Sequence, residues 1–154
     1  MDKFLLEVIS HFEIGKPTSI NSITWEGWSS NKLYRVTTAK GTYVLKSKTS
    51  AQASENLTKA TVIRQFLIDS GLETIPKPIP THDLSLTYTD LNNICWELQE
   101  CIEGINVDPE NITRKHCESL ATEIANYHKL FLNNEKLAKN FHQFSCSFLK
   151  QINF

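Results

Sequence analysis

The stretch LYRVTTAKGTYVLK, residues 33–46, decides how the chain folds. Two runs rich in β-branched and aromatic residues, Leu33–Thr38 and Thr42–Lys46, flank the turn Ala39-Lys40-Gly41, which is the pattern of a hairpin. Side chains alternate along a strand, so Thr42, Val44 and Lys46 share one face and Tyr43 and Leu45 the other. A lysine beside Val44 at the edge of an apolar surface can set a point charge on phosphates while the valine roofs a flat base. A surface lysine at a strand end meets the same pattern.

Upstream, Ile23–Trp28 predicts a first strand. Gly27-Trp28-Ser29-Ser30-Asn31 follows as a turn whose glycine and small polar residues suit either a phosphate-covering loop or an ordinary hairpin. Phe4, Leu5, Val8, Ile9 and Phe12 recur at helical spacing, predicting an amphipathic helix over 2–13 that Gly15–Thr18 closes. Downstream, Leu57, Ala60, Ile63, Arg64, Leu67 and Ile68 predict a second helix ended by Ser70-Gly71. Ile75–Pro80, with alternate prolines, must run extended. Strands are expected around Leu84–Thr89 and Ile94–Cys101, joined by a turn at Asp90–Asn93. Asp108-Pro109 starts a helical stretch to the end of the chain. The order predicts an α+β fold, a five-stranded antiparallel sheet with one inserted helix followed by C-terminal helices, with a boundary near 104–108.

Composition narrows the function. With 154 residues, 40% hydrophobic and 21% charged, the chain suits one globular domain with its core. A formal net charge of −1 supplies no field for a phosphate backbone, so nucleic acid is not an expected partner. No run approaches the roughly 18–20 apolar residues that span a bilayer. The apolar stretch Phe4–Ser10 is interrupted by Glu7 and followed by no cleavage pattern, so the expectation is a cytoplasmic protein with no membrane partner. Cys95, Cys101, Cys117 and Cys146 show neither a CxxC pair nor a zinc spacing, and are expected as reduced, mostly buried thiols with no metal site.

Taken in order, Gly27…Asn31, Tyr34-Arg35-Val36, Gly41-Thr-Tyr-Val-Leu-Lys46, a helix, Ile75-Pro-Lys-Pro-Ile79 and Trp96–Gly104 carry a likeness. The chain resembles the aminoglycoside phosphotransferase and choline kinase family, whose N-terminal lobe runs G-x-x-N-x-x-Y-R-V, G-x-Y-V-L-K, a helix, P-x-P, and a strand into a short linker. Glu118–His128 is similar to that family's first C-lobe helix. The resemblance covers about residues 10–131 and implies a kinase-like N-lobe over 1–104, the nucleotide-binding half, and a truncated start of a C-lobe over 105–154. It implies ATP as cofactor, with Lys46 on its α- and β-phosphates. Gly27, Ser29, Ser30 and Asn31 would cover the phosphates, Val44 would lie on the adenine, and backbone groups near Glu100 and Ile102 would meet the adenine edge. Glu55 would be the lysine's partner on the inserted helix, its other reading being a helix-start carboxylate facing the macrodipole.

The family's H-x-D-x-x-x-x-N loop and its Mg²⁺-holding aspartate have no counterpart here. His82-Asp83 precedes the last two strands, on the wrong side of the hinge. No catalytic residue is therefore assigned, and Mg²⁺ is expected only in a full-length relative. The reading is the ATP-binding portion of a small-molecule phosphotransferase, inactive alone; the alternative is a non-catalytic interaction or regulatory module on a kinase-like scaffold. Leu137, Phe141, Phe144, Phe148 and Ile152 form an apolar stripe, making 135–154 a candidate surface for a protein partner or self-association.

Overall fold

A computed structural model describes residues 2–23, 32–104 and 107–133, and the chain divides into two compact units, Met1–Glu103 and Gly104–Phe154. In the first unit the element order is α1 (Lys3–Ser10), β1 (Pro17–Ile23), β2 (Leu33–Thr38), β3 (Gly41–Lys48), α2 (Ala51–Asp69), β4 (Pro78–Ile79), β5 (Tyr88–Thr89) and β6 (Cys95–Glu100). The strands form one antiparallel sheet in the order β1-β2-β3-β6-β4, with β5 also paired to β6. This is the expected α+β arrangement with its inserted helix, with six strands instead of five.

The core lies between α1 and one face of the sheet. Leu5, Val8 and Ile9 of α1, with Phe12 and Ile14 after it, pack with Val36, Tyr43, Leu45, Trp96 and Leu98. The alternation expected for residues 42–46 is seen, since Tyr43, Leu45 and Ser47 are buried and the residues between them are half-buried. Asp2 caps α1 by accepting from Phe4 N at 2.9 Å. The helix stops at Ser10, short of the expected residue 13, because Phe12 leaves it to bridge Thr81.

Two further boundaries differ from expectation. A strand is already present at Pro17–Ile23, which its sequence PTSINSI hides, and beyond Ile23 the expected strand Ile23–Trp28 lies outside the described residues. Among the described residues β1 is the outermost strand and pairs only with β2, so it needs no apolar alternation, and a proline at its first position breaks no ladder bond. Of the stretch 84–89 only Tyr88–Thr89 is strand; Leu84 has φ 64° and its amide turns back to Thr81 O at 2.9 Å.

Helix α2 begins at Ser50, whose Oγ accepts from Ala53 N at 3.2 Å. It ends in a Schellman motif, with Leu72 N bonded to Leu67 O and Gly71 N to Ile68 O. Gly71 takes φ 92°, where a side chain is strained. In the second unit the turn Pro109–Asn111 is followed by α3 (Arg114–Leu132). Thr113 and His116 cap the start of α3 reciprocally, Thr113 N donating to Nδ1 and His116 N to Oγ1. The proposed docking stripe at 135–154 lies outside the described residues. Among the described residues no helix is long and apolar enough to cross a membrane. Cys95 is buried, but Cys101 is only half-buried and Cys117 exposed, fewer buried thiols than the composition suggested.

The turn into β6 hangs on one side chain. Asp90, itself buried, accepts from Asn92 N at 2.8 Å, Ile94 N at 3.0 Å and Trp96 Nε1 at 2.9 Å. Truncating it strands three donors, one of them on a tryptophan that is only 2% exposed. Asp90→Ala should therefore lose about 2–4 kcal/mol in urea unfolding at an unchanged slope. A loss below about 0.5 kcal/mol would show that the turn forms without it.

Candidate functional site

Strands β3 and β6 pair antiparallel with Lys46 opposite Glu97 and Val44 opposite Gln99. Residues directly opposite one another share a face, so these four side chains form one patch on the side of the sheet away from α1. Helix α2 serves this face. Its Arg64 forms an ion pair with Glu97, whose side chain is fully buried. Thr61, one turn earlier, is also buried and returns its hydroxyl to Leu57 O at 2.8 Å.

One carbonyl oxygen joins the two cations. Lys46 Nζ donates to Gln99 Oε1 at 2.6 Å, and Arg64 Nη1 donates to the same atom at 3.2 Å. Burial pushes the Lys46 amine below the usual lysine range; Glu97 pulls it back up, while Arg64 and Lys48 push it further down. Glu97 Oε2 is buried without a hydrogen-bond partner. Lys46, Arg64 and Lys48 thus outnumber the single carboxylate of Glu97, which leaves positive charge in excess on a half-buried surface, the condition for holding an anion.

The structure brings together some of the expected residues and separates others. Val44 and Lys46 lie on one face as anticipated. Gly27, Ser29, Ser30 and Asn31 fall outside the described residues, but the ends of their segment are placed. Ile23 pairs with Leu33, Leu33 pairs with Lys46, and Ser47 N donates to Lys32 O at 3.1 Å. At the end of β6, Glu100 N donates to Lys77 O at 2.9 Å and Cys101 N to Thr42 O at 3.0 Å. The Glu100 amide is thereby committed within the sheet, whereas Ile102 lies beyond the last strand residue and is 59% exposed. Glu55 is on α2, but its exposed carboxylate pairs with Lys59 four residues on, at 2.5 Å. The carboxylate in register with Lys46 belongs to β6 instead.

Arg64, Glu97 and Gln99 went unread in the sequence, although a signal was there. In Cys95-Trp-Glu-Leu-Gln99 the two polar residues alternate with Trp96 and Leu98, and a charged residue in the middle of a central strand requires a partner. His82 and Asp83 join the base of α1 to the loop after β4. His82 Nδ1 lies 3.5 Å from Glu13 Oε1 and its Nε2 3.1 Å from Ser10 O, while Asp83 accepts from the Thr81 hydroxyl. Among the described residues no group of three His, Cys, Asp or Glu side chains could hold a metal ion.

Residues 23–143 match the phosphotransferase enzyme family, and the chain belongs to it. Among solved structures it is similar to spectinomycin phosphotransferase APH(9)-Ia, crystallised with ADP and spectinomycin, at 20% identity and a TM-score of 0.58. That match covers 73% of this chain and 33% of the other, so the chain spans about a third of that protein. The likeness is one of fold and identifies the sheet with its inserted helix as kinase-like. No curated protein matches the sequence.

Because burial disfavours the ammonium form, Lys46 withholds stability below its lowered folded pKa. That penalty fades as pH rises from there to the unfolded value of 10.5. Lys46→Met removes the charge, so any gain in melting temperature over the parent should be largest near neutral pH and shrink towards 10.5. A difference that does not vary with pH would mean that the amine is not desolvated. Glu55→Gln, by contrast, breaks an exposed pair and should change stability by at most about 0.5 kcal/mol in the same melts.

Proposed function

We propose that this chain binds ATP on the Lys46 face of its sheet and forms the nucleotide-holding portion of a phosphotransferase acting on a small molecule. The observation that carries the reading is the half-buried Lys46, aligned by Gln99 in a patch with positive charge in excess. A lysine ammonium has three donors. One goes to Gln99 and two stay available for phosphate oxygens, with Val44 two residues back on the same face to lie against a base. Membership of the phosphotransferase family supports this use, as does the structural relative solved with ADP. Ile102 is the position at the strand's end where backbone groups would meet the adenine edge.

On this reading residues 1–104 hold the nucleotide and 105–154 begin a second lobe. Catalysis in such enzymes rests on positioning, on Mg²⁺ that neutralises developing charge, and on a carboxylate that takes the acceptor's proton. The described residues offer no acidic cluster that fits Mg²⁺, so no residue is assigned to it and no step is routed through it here. The sequence holds no H-x-D-x-x-x-x-N, so none of its residues is assigned to take the acceptor's proton.

Calorimetric titration with ATP, with and without Mg²⁺, tests the proposal. Lys46→Ala should weaken binding by about 1.5–3 kcal/mol, roughly ten- to a hundredfold, the worth of hydrogen bonds to a charged group. Binding indifferent to Lys46, or no binding, would overturn it in favour of a scaffold that uses the fold without nucleotide.

A further inference from the structure

Glu97 is a carboxylate on a central strand, fully buried, with Arg64 on one oxygen and no hydrogen bond on the other. A buried charge of this kind is costly unless it serves a partner. Replacing such an ion pair by apolar residues is often neutral for stability. Its place beside Lys46 is therefore not explained by the stability of the fold. The register supplies a reason, because Glu97 is the residue directly opposite Lys46, and Gln99, two residues on, takes the lysine's hydrogen bond.

We propose that Glu97, held by Arg64 of α2, is the positioning residue for Lys46: together with Gln99 it keeps the ammonium charged and aimed for a nucleotide phosphate. The polarity is inverted from a helix that presents a carboxylate to the lysine. Here the helix supplies the cation and the neighbouring strand the anion, and Gln99 Oε1 couples the two by accepting from both. Movement of α2 relative to the sheet would therefore reach Lys46 through Arg64 and Gln99. The charged groups facing Lys46 are Glu97 on β6, Arg64 on α2 and Lys48 on its own strand; its partner on β2 is the apolar Leu33. Glu97 favours the charged amine and the two cations oppose it, the Glu97 effect being larger than that of Arg64.

The proposal rests on the nucleotide reading above, but it is tested first without nucleotide. The titration of Lys46 is followed by NMR in the ¹³C-methylated full chain and assigned by its loss in Lys46→Arg. The main variant is the double replacement Arg64→Met with Glu97→Met, which removes both charges and leaves neither partner stranded. It should fold, and its Lys46 should titrate at a lower pH than in the parent, since the larger of the two opposing influences is gone. Gln99→Met, which leaves both ions in place, should also lower that titration by removing the acceptor of the charged form. In ATP titrations each variant should bind roughly tenfold more weakly, the scale of one hydrogen bond to a charged group. The deficit should widen as pH rises and the amine discharges. An unmoved Lys46 titration in either folded variant overturns the proposal, because a merely structural pair would leave it unchanged. If the parent binds no ATP, the functional reading fails, and the Lys46 titration still decides whether Glu97 governs the amine.

Discussion

The antiparallel pairing of Gly41–Lys48 with Cys95–Glu100 is the constraint on which the rest of the first unit depends. Because side chains alternate, this one register sends Tyr43, Leu45, Trp96 and Leu98 to α1, and Val44, Lys46, Glu97 and Gln99 to the other side. A slip of β6 by one residue would turn Trp96 and Leu98 away from α1 and set Glu97 and Gln99 against Val8 and Ile9 instead. The apolar core therefore does more than stabilise the sheet. By fixing the register of two strands about 50 residues apart in sequence, it determines which polar side chains meet on the opposite face.

That division explains why the polar face can tolerate an arrangement poor in stability. Lys46 is held partly out of water, two cations share one acceptor, and one carboxylate oxygen lacks a partner. Each of these raises the free energy of the folded chain, and the closely packed face around Trp96 offsets them. Trp96 is well placed to do so, with Phe4 edge-on at 5.9 Å, Tyr34 at 6.4 Å, and its ring nitrogen bonded to Asp90. Strain of this kind collected on one surface, with no unpaired buried side-chain atom among the described residues of the opposite one, is the usual division between a binding face and its support.

Much of this was legible in the sequence, and the exceptions have physical causes. The hairpin of residues 33–46 declares itself because β2 and β3 each have one buried face, which imposes alternation. Helix α2 was readable from the spacing of Leu57 to Ile68 and its Ser70-Gly71 stop, although as a whole it is only weakly amphipathic. Strand β1 was not, since an outer strand paired on one side carries no such imprint. Lys46 and Val44 could be placed from local periodicity alone. The partner of Lys46 could not, because Glu97 and Gln99 are brought to it by a non-local pairing. Glu55, near in sequence and correctly on α2, faces water and its own Lys59 instead.

The margins of the sheet bear on how the molecule behaves in concentrated solution. One margin is β1, polar along most of its length and opened by Pro17; the other is β4, two residues long within Pro76-Lys77-Pro78-Ile79-Pro80. Prolines have no amide to offer, so at 76, 78 and 80 an incoming strand would find no donor. A chain with a net charge of only −1 has little electrostatic repulsion to keep copies apart. Here the proline-rich β4 margin takes on part of that task, offering neighbouring molecules little of the backbone template along which sheets join edge to edge into aggregates.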